Sequence, residues 1–185
     1  MRWTQTLAAV IAIPASLLWL TGCAVPALPD LGEVHIDRWA TIKAADKDVG
    51  EILAAFNRAE ESLHEENLDG IMALYSEQYK YHGLTKADLR KTWQELFAHY
   101  DHIASTHIFS RIRATASGKN PTAEIVCTGS LWGVSTDTGQ RTIIDSWFYE
   151  THNMIYEDGA WRIRGHGAEE APKVLPFGVA PHPFF

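Results

Sequence analysis

The sequence predicts an α+β domain in which three N-terminal helices lie in the concave face of a strongly bent antiparallel sheet. Three observations carry this. Apolar residues recur at helical spacing in the first half of the chain, at Val49, Ile52, Leu53, Phe56, Ala59 and Leu63, then at Leu89, Trp93, Leu96, Phe97 and Tyr100. After Asp101 the pattern changes to alternation, in runs 102–116, 122–136, 142–157 and 160–167 separated by turn residues. Helices segregated from a meander of strands define α+β, and Gly129 inside the second long run marks a sharp bend.

The elements follow in order. Residues 1–22 read as a signal peptide, with Arg2 ahead of the apolar run Leu7 to Leu20, which contains Pro14. That run is shorter than the roughly twenty residues a spanning helix needs. It ends in Leu20-Thr21-Gly22-Cys23, which resembles the lipobox of bacterial lipoproteins. The resemblance implies cleavage before Cys23 and acylation of that cysteine, a membrane anchor in the cell envelope. Two or three acyl chains hold a protein stably where one does not. Ala24 after the cysteine resembles lipoproteins exported to the outer membrane, facing the periplasm.

Residues 23–47 read as a tether, broken by Pro26 and Pro29 and solvated by Asp30, Glu33, Asp37 and Arg38. The domain spans 48–167. Asp48 to Glu51 resembles a capping box opening the first helix, with Glu60, Glu61, Glu65 and Glu66 on its solvated face. Asn67 to Ser76 reads as a second, shorter helix, and Gln78 to His82 as a brief strand. Thr85 to Asp88 is another capping box, opening the third helix. Residues 168–185 form a Pro-rich apolar tail, unable to continue as helix and expected to pack in extended form.

Asp158-Gly159 fits a two-residue hairpin turn, which needs φ > 0 at both positions. Pairing outward sets Tyr156 opposite Trp161, Met154 opposite Ile163 and His152 opposite Gly165. The face carrying Trp161 and Ile163 is the core candidate, and it brings Glu150 and His152 inward. If the DTGQ turn pairs Thr136 with Arg141, Cys127 faces Glu150, Ile125 faces His152 and Gly129 faces Phe148. The concave wall is then Ile125, Cys127, Gly129, Leu131, Phe148, Glu150, His152 and Met154. Phe56, Tyr75, Trp93 and Phe97 contribute from the helices, with Tyr79 or Tyr81 at the mouth. An apolar cup with a few convergent polar groups has the composition of a small-molecule site.

Glu150 and His152 are the candidate catalytic pair, a general base and acid on an enolisable or dehydratable substrate; the alternative is a structural pair satisfying a buried charge. Cys127 is expected to be a buried inert thiol. His99, His102 and His107 are expected near a helix-to-strand turn, partly exposed, with no metal framework among them and no cofactor implied. Trp132, Trp147 and Tyr149 are expected together on the outer sheet face, as a homodimer patch or a surface covered by the tail. A formal net charge of −7 with no basic run argues against nucleic acid as a partner.

The order of elements, the segment NLDGIMALYSEQY and the ending EDGAWRIRGHG resemble the nuclear transport factor 2-like, or SnoaL-like, superfamily. The resemblance implies a cone-shaped α+β barrel. It names no reaction, since the superfamily includes ketosteroid isomerases, dehydratases, polyketide cyclases, epoxide hydrolases and non-catalytic adaptors. Three functions stay open: an anchored domain binding a small apolar or amphipathic ligand, an acid–base isomerase or dehydratase, and an assembly lipoprotein docking another envelope protein.

Overall fold

The computed structural model describes residues 34–115, 120–166, 174–175 and 178–179. The expected signal peptide, Cys23 and most of the Pro-rich tail lie outside the described residues. The elements run β1 (Val34–Lys43), α1 (Asp46–His64), α2 (Leu68–Met72), β2 (Lys80–Tyr81), β3 (Leu84–Thr85), α3 (Lys86–His99), β4 (Tyr100–Thr115), β5 (Thr122–Ser135), β6 (Arg141–Glu157), β7 (Ala160–His166), β8 (Val174–Leu175) and β9 (Gly178–Val179). Strands β1-β4-β5-β6-β7 form one sheet in that order. It is antiparallel except for β1, which pairs in parallel with β4. As the α+β class predicts, helices pack on this sheet, α1 against β4 and β7 and α3 against β4, with α2 packed on α1 and α3. The tail segments β8 and β9 pair only with each other among the described residues.

The helices form where the apolar stripes lie. Ile52, Phe56, Ala59 and Leu63 of α1 and Leu89, Trp93 and Leu96 of α3 are buried in a single core with Ile71, Met72 and Tyr75. The capping box at Thr85 is formed: the Asp88 carboxylate accepts from the Thr85 backbone N–H at 3.0 Å. The one expected at Asp48 is not, because α1 starts earlier, with Ala45 at its N-cap. Asn67 caps the short α2 by accepting from the Gly70 N–H.

The tether is corrected over much of its length. Residues Val34–Lys43 are an edge strand, with Val34 and Ile36 packed against the core and Trp39 79 % exposed. The register slips between Ile36 and Thr41, so Asp37 to Ala40 bulge out of the ladder. An edge strand buries little and tolerates charge, and the bulge removes the alternation that would have revealed it.

Two further bulges decide which residues face inward. The β5–β6 hairpin closes with Val134 opposite Arg141, two residues from the expected pairing of Thr136. Slips between Leu131 and Trp132 and between Cys127 and Gly129 then restore the expected partners, Cys127 with Glu150 and Ile125 with His152. Between the slips the faces exchange. Gly129 meets Trp147 instead of Phe148, so Trp147 is wholly buried while Phe148 is 76 % exposed. Gly129 is required there, because a Cβ would collide with the Thr106 carbonyl and the Trp147 ring. The slip leaves Tyr149 at φ 53 and 72 % exposed. On β7, Tyr156 pairs with Trp161 and Met154 with Ile163 as expected, but a slip after Asn153 sets His152 opposite His166 rather than Gly165.

Candidate functional site

Two polar groups lie inside the cone, and a cleft opens at one end of the sheet. The first group joins α1 to the sheet. On β4, Ile103, Ser105, His107 and Phe109 alternate into the core, each almost fully buried. Glu60 stands one turn from Phe56 on the same stripe of α1 and is 3 % exposed. Its carboxylate accepts from the Ser105 hydroxyl, from the Ser105 backbone N–H at 3.2 Å and from His107 Nε2 at 3.1 Å. His107 Nδ1 stands 3.7 Å from Cys127 Sγ, which also accepts from Trp147 Nε1 at 3.4 Å. Burial by itself lowers the basicity of the His107 imidazole. The hydrogen bonds to Cys127 and Glu60 outweigh that and raise its pKa to about 9. The protonated ring donates from both nitrogens, so helix and sheet are cross-linked by a charge-assisted contact.

The second group contains the expected catalytic pair. Glu150 and His152 both reach His166, whose Nδ1 lies 3.3 Å from Glu150 Oε1 and 2.9 Å from His152 Nδ1. The His166 side chain has no solvent exposure and Glu150 only 12 %. Tyr79, Tyr81 and Phe56 surround these imidazoles at ring distances of 4.6 to 6.3 Å. Burial raises the Tyr79 phenol above its usual range, reinforced by Tyr75, Tyr81 and Glu150.

The cup residues divide into three placements. Phe56, Tyr75, Tyr79, Tyr81, Trp93, Ile125, Cys127, Leu131 and Met154 share the core and pack on one another. Phe97 is half-buried beside Trp93. Phe148, expected on the concave wall, lies outside it. The outer aromatic patch is also corrected: Trp147 belongs to the interior, leaving Tyr149 exposed and Trp132 half-buried beneath Arg141, with its Nε1 donating to Ser130.

Three polar residues of this interior contradict the expectations drawn from sequence. Glu60 groups with the solvated glutamates by its neighbours in EES, but its spacing from Phe56 and Leu63 places it on the apolar stripe. His107, expected near an exposed turn, alternates with Ile103, Ser105 and Phe109 into the core. His166 falls on the outer face in an unbroken hairpin, and only the bulge at Asn153 turns it inward. Among the described residues no three His, Cys, Asp or Glu side chains converge to hold a metal ion.

The cleft, of about 520 Å³, lies where the ends of β4 and β7, the start of β5 and the last third of β6 approach β2. Met154 and Ala123 give it an apolar part, and Gln78, Thr115, Thr122 and Asn153 offer neutral hydrogen-bonding groups. Gly165 shapes it. A Cβ there would strike the Lys80 carbonyl, so only glycine lets β2 sit against the end of β7. His166 borders the same cleft, which thereby adjoins the inner Glu150–His166–His152 group.

No family model and no curated protein matches the sequence. Solved structures do. Aln2 from a Streptomyces species superposes with a TM-score of 0.51 at 12 % identity, over 67 % of this chain and 91 % of that one. A ketosteroid isomerase-like protein from Erwinia carotovora atroseptica gives 0.48 at 13 %, over 66 % and 95 %. A putative scytalone dehydratase from Novosphingobium aromaticivorans gives 0.47 at 16 %, over 65 % and 81 %. The likeness concerns the fold alone, a cone of bent sheet around helices.

Proposed function

We propose that the domain is a binding module for a small amphipathic ligand, held at the cell envelope by lipid on Cys23. The observation that carries the binding function is the cleft itself: about 520 Å³ of concave space, part apolar and part hydrogen-bonding, in the size range of small-molecule sites. The isomerase or dehydratase alternative has weaker support. The candidate pair Glu150 and His152 is engaged with His166, and Phe56 and Cys127 around it are wholly buried in the packed core. The anchor is supported by the run ending LTGC at Cys23.

Native mass spectrometry of the full chain, purified without denaturant, tests the binding function. A retained small molecule is expected in the wild type and should be lost in Asn153→Trp, where the indole fills the cleft from an exposed position. Fatty-acid labelling tests the anchor: Cys23→Ser should abolish incorporation of palmitate, and equal labelling of both forms would end the lipoprotein assignment. A homodimer through the outer sheet face is retained as a proposal on a revised patch, Ile108, Phe148 and Tyr149. Phe148→Glu should then shift light scattering from dimer to monomer.

A further inference from the structure

We infer that the ligand of this cleft carries an acid group, a carboxylate or phosphate, recognised by Lys80, Arg113 and Arg164. The inference rests on the proposed binding function and adds the chemical class of what is bound. The chain as a whole is acidic, at a formal −7, yet three cations line this one cleft. Among the described residues its one acidic lining residue, Glu124, is paired at 2.9 Å with Arg111, which lies outside the lining. Lys80, Arg113 and Arg164 are all exposed and form no ion pair among the described residues. Like charges gathered in one concavity repel unless an anion sits between them, and a concave cationic surface focuses its field on such an anion.

The arrangement also explains why three separate elements meet here. Arg113 of β4 begins a row that crosses the sheet through Glu124 and Asn153 to Gly165, and Arg164 is the neighbour of that glycine on β7. Lys80 arrives from β2, through the close approach that Gly165 permits. Guanidinium groups from two strands suit the planar, multidentate recognition of an oxyanion. Met154 and Ala123 also line the cleft, although both are nearly buried. A flat membrane surface would not need the concavity, so the acid is placed on a soluble or extracted small molecule.

The test is a calorimetric comparison of decanoate, decyl phosphate and decanol with the full chain, in wild type and in Arg113→Gln/Arg164→Gln. Both positions are exposed, so the double variant should keep the wild-type melting temperature. At least one acid should bind roughly tenfold or more tightly than the alcohol. That preference should vanish in the variant and shrink as salt is raised. Equal affinity for acid and alcohol would overturn the inference while leaving the binding function standing. Binding of none of the three would overturn both. Capture on phosphatidylglycerol vesicles that needs the two arginines, without binding of either free acid, would assign the cations to a lipid surface and overturn the inference as well.

Discussion

The sealed polar group at Glu60, Ser105, His107 and Cys127 and the open cleft at Lys80, Arg113 and Arg164 use similar chemistry to opposite ends. In the sealed group each charge finds its counterpart within the chain. Glu60 accepts from three donors, and His107 is held between a carboxylate and a thiol. Such a group is expensive to break, because removing one partner leaves the other buried without its counterpart. At the cleft the cations have water on one side and no carboxylate partner among the described residues, so removing one costs the fold little. A polar residue satisfied by its own chain serves the architecture, whereas a cluster of one sign left open to solvent is available to a ligand.

The largest expected effect comes from the sealed side. Glu60→Ala strips the buried imidazolium of its carboxylate and should destabilise the domain by about 3–5 kcal/mol in denaturant unfolding. A midpoint within error of wild type would erase the distinction between the two regions. Next in size is a pH dependence. The His107 pKa is raised from 6.5 to about 9. Its contribution is therefore fully present below pH 6.5 and lost as pH rises through 9, by about 3 kcal/mol in total. Unfolding free energy measured from pH 6 to 10 should fall over that window, and His107→Gln should flatten the slope.

Gly165→Ala tests the structural support of the cleft. The added methyl meets the Lys80 backbone carbonyl, so β2 must move, at about 1–3 kcal/mol. Calorimetric affinity for a decanoate probe should drop in the same variant, since the Lys80 side of the cleft moves with it. The smallest effect belongs to the open side. Arg164→Gln should change stability by no more than about 0.5 kcal/mol, the usual range for an exposed substitution. A loss of several kcal/mol in thermal unfolding would show that Arg164 belongs with the sealed group instead.

Much of the architecture is legible from periodicity alone. The helical stripe at Ile52, Phe56, Ala59 and Leu63 and the Asp158-Gly159 turn are local signals, fixed by 3.6-residue and two-residue repeats and by backbone conformation. They place α1, α3 and the four long strands, and they pair Tyr156 with Trp161 correctly. The interior chemistry is less legible. The hairpin register directs Glu150 and His152 inward, yet it sets His166, the residue that joins them, on the wrong face.

What the sequence determined by itself is therefore the α+β order of elements, the core stripes and the turn that anchors the last hairpin, since each depends on neighbours within a few positions. Tertiary structure decided the rest. A β-strand has period two, so one inserted residue exchanges its faces. The bulges near Gly129 and Asn153 took Trp147 and His166 inside and put Phe148 out. Gly129 signals a bend locally, but which residues exchange faces there and at Asn153 is set by long-range packing at Trp147 and Lys80. The same holds for Glu60, whose burial follows from Ser105 and His107 arriving opposite it from a distant part of the chain, and for the three cations, which only the assembled sheet brings to one cleft.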